Sequence, residues 1–339
     1  MSRPIASLNL SPRLSDRLLH MGYRCVEDLK DISTLELAQD VGISLADAQL
    51  IMQHIQPADH PIVSASQLFQ KEQQRIAIPT GSKALDQIFG SMGLEPGRLY
   101  ELLGVPGVGK TQLGMQLCVN VQTPQHLGGA GGQAIFIDTE GTFVAERAQQ
   151  MAQSAIQRWE QTALAQLPHS GITPTPLPTV EDILEGILYL RVLDVAELDT
   201  LVKQLRTFCE VHPGYKLVVL DSIAFPIRAS FLDKTQRIRL LHTLGYELHA
   251  LAREHELVVV ITNQMTTRFP TLSSPAAQTS GTKSVSPALG DTWSDICQYR
   301  VVFYWDGDTR YARVLKSPFL QELSAPFSIE VTGIEDSNV

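Results

Sequence analysis

From residue 81 onwards, short apolar runs alternate with longer segments in which apolar residues recur at helical spacing. This alternation is typical of a mostly parallel central sheet flanked by helices, so we predict an α/β fold. The predicted strands are Leu99–Leu103, Ala134–Ile137, Leu188–Val192, Leu217–Leu220, Leu257–Thr262 and Tyr299–Trp305. We also predict a Pro-rich surface loop over Pro168–Thr179, and core positions for Trp293 and Trp305.

Residues 1–56 form a predicted small helical domain. Apolar residues follow helical spacing over Asp28–Leu37 and Leu45–Ile55, and Ser44 is a suitable N-cap for the second helix. Val41-Gly42-Ile43 between them has the apolar–glycine–apolar pattern of a helix-hairpin-helix turn. Such a turn grips phosphate through backbone N–H groups in some proteins and serves only packing in others, and the sequence leaves both functions open.

The segment 57–80 is predicted to be a linker with a partner-binding element, leading to an ATPase domain over residues 81–339. Pro57 and Pro61 interrupt helical structure, and a polar stretch over Gln70–Arg75 follows them.

Bulk composition narrows the set of partners. The 339 residues carry a formal net charge of −9, so a nucleic-acid partner requires a local basic surface. The four cysteines are widely spaced and indicate neither a zinc site nor a disulfide framework. Apolar runs fall well short of the roughly 20 residues that a membrane span needs. We therefore expect an intracellular protein without a membrane partner.

The strongest chemical signal is a run that fits the phosphate-binding pattern G-x-x-x-x-G-K-[ST] between a predicted strand and a predicted helix. Its glycines let backbone N–H groups point at phosphate oxygens. Lys110 is expected to meet the β- and γ-phosphates of ATP, and Thr111 to bind Mg²⁺. The candidate nucleotide-binding residues are Gly104, Val105, Pro106, Gly107, Val108, Gly109, Lys110, Thr111 and Gln112.

Three further strand ends carry polar side chains suited to the same chemistry. Asp221 follows an apolar strand and is a candidate Mg²⁺ and nucleotide ligand. Glu140 could deprotonate an attacking water, or could be an ordinary solvent-facing acid. Gln264 ends another strand and could sense the γ-phosphate. Lys110, Glu140 and Gln264 are therefore the candidate catalytic residues.

These elements, in this order, resemble the eukaryotic and archaeal recombinases of the RecA superfamily. The resemblance rests on TGSKALD (80–86), IDTEGTF (137–143), LVVLDS (217–222), Thr262-Asn263-Gln264 and KSP (316–318). Finer features are similar to the C-paralogue branch of the eukaryotic strand-exchange recombinases. These are GVPGVGKTQL (104–113), DSIAFP (221–226), NQMTT (263–267) and PALGDTW (287–293).

The resemblance implies a RecA-like ATPase core that uses ATP and Mg²⁺ and acts in homologous recombination and DNA double-strand-break repair. It implies heteromeric complexes with other paralogues, which bind single- and double-stranded DNA and assist the main recombinase. It places Glu140 at the catalytic glutamate, Gln264 at the nucleotide sensor and Arg147 near the adenine. It places DNA-facing loops after Asp221 and over residues 266–287. The candidate DNA-binding residues are Arg228, Lys234, Arg237, Arg239, Arg268 and Lys283.

Two departures from the family pattern concern the partner interface. Ile62 and Ala65 stand where the recombinases carry a Phe-x-x-Ala element, which disfavours long homotypic filaments and favours a specific partner. Lys316, ahead of Pro318, stands where the recombinases carry an acid. We expect Lys316 to approach a partner's γ-phosphate, as an arginine finger does.

Two other functions stay open at this point. In one, ATP joins subunits of a scaffold and hydrolysis is incidental; in the other, the chain is a different RecA-like DNA motor, such as a hexameric helicase. The resemblance implies location in the nucleus, with the cytoplasm and mitochondrion as further compartments.

Overall fold

The computed structural model describes residue 5 and residues 10–29, 32–55, 63–90, 92–170, 176–230, 233–268 and 284–337. The chain divides into two compact units, Met1–Gln73 and Gln74–Val339. In the described part of the chain, no helix is both long enough and apolar enough to cross a membrane.

The first unit is built from short helices around a small apolar core. Its helices are α1 (Pro12–His20), α2 (Thr34–Val41), α3 (Leu45–Ile55) and α4 (Ala65–Gln73). The prediction of one helical segment over Asp28–Leu37 is wrong, because a capping box starts α2 at Thr34. Ser33 Oγ accepts from Glu36 N at 3.3 Å, and the Glu36 carboxylate accepts from Ser33 N at 2.9 Å. Gly42 ends α2 in the left-handed conformation, with φ 65°.

Helix α4 lies inside the segment expected to be a linker. Its start is set by Ser64, whose Oγ accepts from Gln67 N at 3.2 Å, while Ser64 N donates to Gln67 Oε1 at 2.8 Å. No α4 residue is buried, so polarity alone did not distinguish this helix from a linker. Ala65 is its first residue, and Ile62 lies outside the described residues.

The second unit alternates strands and helices until its last quarter, which is built from strands in antiparallel hairpins. The elements are α5 (Lys83–Phe89), β1 (Arg98–Gly104), α6 (Lys110–Asn120), β2 (Gln133–Asp138), α7 (Ala145–Ser170), α8 (Val180–Glu185), β3 (Ile187–Arg191), α9 (Val195–Val211), β4 (Tyr215–Asp221), α10 (Ala224–Ala229), α11 (Lys234–Glu254), β5 (Val258–Arg268), β6 (Ser284–Pro287), α12 (Gly290–Ile296), β7 (Tyr299–Asp306), β8 (Thr309–Lys316), β9 (Ser324–Glu330) and β10 (Gly333–Asp336).

One sheet organises this unit, with strand order β10-β9-β8-β7-β1-β5-β4-β2-β3 and β6 paired to β5. The pairs among β7, β1, β5, β4, β2 and β3 are parallel. The predicted α/β fold with a mostly parallel sheet is therefore confirmed. The carboxyl ends of β1, β2, β4 and β5 meet at one edge of the sheet, where the candidate site lies.

Two apolar layers cover the sheet because successive strand residues point to opposite faces. In β4, Leu217 and Val219 pack into the cluster that contains helix α6, while Val218 and Leu220 pack into the cluster that contains α9 and α11. Both faces of the central sheet are therefore covered by apolar side chains. This explains why the central strands are continuous apolar runs rather than alternations of apolar and polar residues.

Three sequence-based expectations about the second unit need correction. Strands β6 and β8–β10 were not predicted. Strand β6 pairs with the end of β5 inside the expected DNA-facing loop over 266–287, and Asp306 and Thr309 pair across a two-residue Gly307–Asp308 turn with Gly307 at φ 57°. Helix α7 continues to Ser170, so the expected loop over Pro168–Thr179 begins later than predicted. Trp293 is buried as predicted, but Trp305 is 41% exposed and is not a core residue.

Candidate functional site

The phosphate-binding loop connects β1 to α6 and needs its glycines. Gly107 and Gly109 have φ values of 79° and 117°, in the left-handed region that disfavours other residues. A β-carbon on Gly104 would lie 2.7 Å from the carbonyl oxygen of Phe303. The loop therefore holds its curled backbone only with these glycines, and it presents the N-terminus of α6 to the cleft.

Lys110 is buried inside this loop rather than extended into solvent. Its Nζ donates to the carbonyl oxygens of Gly104 at 2.9 Å and Val105 at 3.0 Å. Burial lowers the pKa of Lys110, while the nearby carboxylates of Asp221 and Glu140 act in the opposite direction. The ammonium group is thus held at the loop by its own carbonyl oxygens.

Asp221 ends β4 beside the first turn of α6. Thr111 Oγ1 donates to Asp221 Oδ2 at 2.5 Å, and the Thr262 hydroxyl donates to Oδ1. Burial raises the pKa of Asp221; the two hydroxyl groups and Lys110 counteract this, and Glu140 reinforces it. A buried carboxylate with a hydroxyl group beside it, and no cation within ion-pair distance among the described residues, suits a hard divalent cation. Thr111 and Asp221 therefore fit Mg²⁺.

A second set of side chains continues from this pair across the strand ends. Glu140 Oε1 accepts from Ser222 Oγ at 2.5 Å and from Gln264 Nε2 at 2.8 Å. Gln264 Oε1 in turn accepts from Arg228 Nη1 at 3.3 Å. The three candidate catalytic residues thus lie at one cleft, and the amide of Gln264 connects Glu140 to an exposed arginine on α10.

The loop that carries Glu140 is fixed by the aspartate at the end of β2. Asp138 Oδ1 accepts from the backbone N–H groups of Glu140 at 3.0 Å and Gly141 at 2.6 Å. Phe143 N donates to Oδ2 at 3.0 Å, and Arg191 Nη1 lies 3.1 Å from Oδ1. Burial opposes ionisation of Asp138, but the backbone N–H groups of Phe143, Gly141 and Thr142 and the guanidinium of Arg191 together lower its pKa.

The cleft enclosed by these elements has a volume of about 440 Å³. Its lining residues are Pro106, Gly107, Gly109, Lys110, Thr111, Gln112, Glu140, Thr142, Asp221, Ser222, Thr262, Gln264, Arg310 and Ile329. Most of the predicted nucleotide-binding residues are among them, whereas Gly104, Val105 and Val108 belong to the loop but do not line the cleft. This volume lies within the range typical of small-molecule sites.

Sequence reasoning missed five lining residues. Ser222 directly follows Asp221, and Thr262 lies two residues before Gln264, so the quoted motifs contained both without assigning them a role. Thr142 lies two residues after Glu140, in a quoted motif that likewise gave it no role. Ile329 and Arg310 carried no sequence signal, because they reach the cleft only through the antiparallel strands β8 and β9.

Arg147 does not line the cleft but contacts a residue that does. Its Nε donates to Gln112 Oε1 at 2.8 Å, and Nη1 donates to Gln150 Oε1 at 3.1 Å and to the Val331 carbonyl at 2.7 Å. Nη2 donates to the Glu330 carbonyl at 2.5 Å. The proximity of Arg147 to adenine stays a prediction.

Five of the six candidate DNA-binding residues lie on α10, α11 and the end of β5. Arg228, Lys234 and Arg239 are exposed, and Arg237 Nη2 donates to the Ala288 carbonyl at 3.3 Å. Arg268 ends β5, but its side chain and all of Lys283 lie outside the described residues. Exposed cations on these helices are compatible with contact to a phosphate backbone, and the assignment stays a prediction.

At the candidate partner face, Lys316 ends β8 and Pro318 follows it, both exposed. Lys316 Nζ donates to the Ser294 carbonyl at 2.8 Å, at the C-terminal end of α12, where a cation is favoured by the helix dipole.

Comparison with known proteins identifies the class. The Rad51 family model matches residues 71–163 and 178–337, so the chain belongs to the Rad51 family and its sheet is a RecA-like fold. It is 35% identical over 352 residues to "DNA repair protein RAD51 homolog 3" of Cricetulus griseus, covering 100% of this chain and 93% of that protein. It is 37% identical over 259 residues to the same-named protein of Dictyostelium discoideum, covering 76% of this chain and 65% of that protein.

An archaeal relative, "DNA repair and recombination protein RadA" of Metallosphaera sedula, is 31% identical over 327 residues, which cover 95% of this chain and 92% of that protein. Within the RecA superfamily the chain is therefore a recombinase-family protein close to the C paralogue.

Proposed function

We propose that this chain is a DNA-dependent ATPase of homologous recombination and DNA double-strand-break repair. It acts in heteromeric complexes with other recombinase paralogues, which bind single- and double-stranded DNA and assist the main recombinase. Rad51-family membership and the DNA-repair names of its relatives support this role and a nuclear location. The single observation that carries the ATPase assignment is the Thr111–Asp221 pair beside the buried Lys110 ammonium.

Nucleotide binding uses groups that already converge on the cleft. Lys110 exchanges its bonds to the Gly104 and Val105 carbonyls for β- and γ-phosphate oxygens, and the N–H groups of the loop surround the phosphates. Thr111 and Asp221 hold Mg²⁺, which when bound neutralises negative charge on the phosphate oxygens.

Hydrolysis is assigned to Glu140, with Gln264 as its positioning partner. Glu140 orients a water and takes its proton once one of its two present hydrogen bonds is exchanged for that water. Gln264 is shared between Glu140 and Arg228, so a DNA phosphate that draws Arg228 away changes the amide that holds Glu140. This geometry supports DNA-dependent turnover.

Partner contact is assigned to Ile62, Ala65, Lys316 and Pro318. Lys316 is exposed at the end of β8, and its ammonium bonds only to carbonyl oxygens of α12 among the described residues. It can therefore turn to a neighbour's γ-phosphate without breaking an ion pair.

An ATP-gated scaffold is the second candidate function, and one observation favours it. Ser222 and Gln264 both donate to the same oxygen of Glu140, which competes with a catalytic water. In a scaffold, nucleotide binding alone assembles the complex and Glu140 serves to hold the strand ends together.

Nucleotide affinity of a Lys110→Ala variant tests the binding proposal. Loss of charge-assisted hydrogen bonds is expected to weaken binding of Mg·ATPγS by about 10- to 100-fold in isothermal titration calorimetry. Glu181→Gln, at an exposed acid on α8, is the matched control and should bind as the wild type does. Equal affinities of wild type and Lys110→Ala would contradict the proposal.

The Glu140→Gln variant distinguishes the ATPase function from the scaffold function. An ATPase requirement predicts that Glu140→Gln retains nucleotide affinity but loses DNA-stimulated turnover and repair function. A scaffold predicts that only Lys110→Ala loses repair function, while Glu140→Gln keeps it and still assembles with partner paralogues.

A further inference from the structure

Arg310 lies on β8, on the face of the sheet that carries the phosphate-binding loop. It stands opposite Trp305 on β7 and opposite Phe327 on β9, and residues directly opposite each other share a face. A β-carbon on Gly109 would lie 3.5 Å from the Phe327 ring and 2.7 Å from Ile329 Cδ1. Arg310 therefore reaches the nucleotide cleft from the Gly109 side, and it lines that cleft.

The present contacts of Arg310 are weak for a guanidinium. Its Cζ lies 4.2 Å from the centroid of the half-exposed Trp305 ring, and its Nε is buried without a hydrogen-bond partner. Within the described ranges, no carboxylate lies within ion-pair distance of it. Stacking on a partly exposed ring contributes less free energy than charge-assisted hydrogen bonds to an anion do. Arg310 is therefore stabilised when it leaves the ring and binds an anion.

Two other cations close to the phosphate-binding loop already make several hydrogen bonds. Lys110 donates to two loop carbonyls, and the guanidinium of Arg147 donates to two glutamine side chains and two backbone carbonyls. Of the described residues that line the cleft, Lys110 and Arg310 carry the positive charges. Of these two lining cations, Arg310 is thus the one with a buried donor that has no partner.

We propose that Arg310 is a nucleotide-contacting residue whose guanidinium leaves Trp305 to bind the non-reacting α- or β-phosphate of a nucleotide in the same chain. This inference rests on the proposed function, because it assumes a nucleotide in the cleft. The non-reacting phosphates are favoured because Arg310 approaches beside Gly109, whereas Glu140 and Gln264 approach from β2 and β5. Arg310 therefore binds ADP as strongly as ATP and slows release of the product.

Calorimetric titration with Mg·ADP and Mg·ATPγS measures this contribution. Arg310→Ala is expected to weaken binding of both nucleotides by about tenfold, and Arg310→Lys by less, because lysine keeps the charge but not the two-pronged geometry. Arg313→Ala is the matched control on the same strand. Arg313 is exposed, faces away from the cleft and pairs with Glu322 at 2.9 Å, so its loss should leave both affinities unchanged.

Trp305 supplies a second readout that does not depend on turnover. It is 41% exposed, whereas Trp159 and Trp293 are 7% and 0% exposed, so quenching by acrylamide reports mainly on Trp305. Nucleotide binding to the wild type is expected to increase this quenching as the guanidinium leaves the ring. Trp305→Phe and Arg310→Ala should both abolish the nucleotide-dependent change.

Three outcomes would overturn the assignment of Arg310. The first is an affinity of Arg310→Ala within twofold of the wild-type affinity for both nucleotides. In that case nucleotide binding by the wild type would still support the proposed function. A loss confined to Mg·ATPγS would contradict contact with the non-reacting phosphates. A wild type that binds neither nucleotide would remove the proposed function and this inference together. Thermal melting of Arg310→Ala and Arg310→Lys verifies that both variants are folded.

Discussion

Two aspartates end neighbouring parallel strands and stand opposite each other, yet the fold shifts their pKa values in opposite directions. Asp138 on β2 and Asp221 on β4 are register partners, and both are buried. Three backbone amides and Arg191 lower the pKa of Asp138, whereas burial raises the pKa of Asp221, which hydrogen-bonds to two hydroxyl groups.

In our proposal, the difference separates a carboxylate that holds the loop together from one that binds Mg²⁺. The protein itself satisfies the charge of Asp138, and the result is an ordered loop that presents Glu140 to the cleft. The charge of Asp221 is left without an ion pair among the described residues, beside the threonine that starts α6. A buried carboxylate that the fold does not neutralise is a place where a cation binds.

A third buried carboxylate extends this comparison. Glu101 on β1 pairs with Arg300 at 2.5 Å and accepts from Asn263 Nδ2 at 2.7 Å. Burial raises the pKa of Glu101, and the charge of Arg300 counteracts this most strongly. Here the compensating cation is a side chain, so the charge of Glu101 is paired within the fold.

The largest expected effect follows from removing that cation. Arg300→Met leaves Glu101 buried without its ion-pair partner, and we expect the free energy of unfolding to fall by about 3–5 kcal/mol. Urea denaturation measures the change. Arg313→Met breaks a pair whose side chains are 53% and 70% exposed, and it should change the free energy by no more than about 0.5 kcal/mol. Similar losses in the two variants would contradict the distinction between buried and exposed pairs.

Asp138→Asn should have the next largest effect, a loss of about 2–3 kcal/mol at pH 7, because charge-assisted bonds to backbone amides become neutral or unsatisfied. The pKa of Asp138 is lowered in the folded protein. Its contribution is therefore present above the unfolded pKa of about 4 and is lost as pH falls through the folded pKa. The stability difference between wild type and Asp138→Asn should shrink below about pH 4 in urea titrations. A difference that grows towards low pH would be inconsistent with this account.

Asp221→Asn should shift stability in the other direction. The folded pKa of Asp221 is raised, so its contribution to stability is present below the unfolded pKa and is lost as pH rises through the folded pKa. In nucleotide-free protein without Mg²⁺, the variant is expected to be about 1–2 kcal/mol more stable than the wild type at pH 7.5. Thermal melting at several pH values measures this, and a destabilised variant at pH 7.5 would refute it.

The smallest effect concerns an exposed carboxylate that makes the same kind of bond as Asp138. Asp194 accepts from the backbone N–H groups of Ala196 at 2.8 Å and Glu197 at 2.9 Å and caps α9. Asp194→Ala should cost about 1 kcal/mol in urea denaturation, with no change in nucleotide affinity. A loss of stability as large as that of Asp138→Asn would mean that burial of the carboxylate does not determine the change in the free energy of unfolding.

The phosphate-binding loop and the strand ends that carry Glu140, Asp221 and Gln264 could be predicted from sequence because each lies on a continuous local pattern. In a chain that alternates strands with helices, an apolar strand followed directly by a polar residue indicates the carboxyl edge of a parallel sheet. Asp138 has that same pattern, and sequence alone gave no reason to assign it a different role from Asp221. The roles differ because of Arg191 and the following backbone, which only the folded chain brings together.

The C-terminal strands were missed because they lack the long apolar runs of the central strands. Strand β8 is exposed over much of its length, so its pattern resembles a polar segment. Strand β8 contributes Arg310 to the site. This residue reaches the cleft from a hairpin some 200 residues along the chain from the phosphate-binding loop. Helix α4 was missed for the same reason, since no residue of it is buried.

The central claim is that this cleft binds ATP together with Mg²⁺ held by Thr111 and Asp221. Calorimetric titration of wild type and Asp221→Asn with ATPγS, each in Mg²⁺ and in EDTA, tests it most directly. The account predicts that Mg²⁺ strengthens binding to the wild type and has little effect on Asp221→Asn, while both proteins remain folded. Equal Mg²⁺ dependence in the two proteins, or no binding to the wild type, would contradict it.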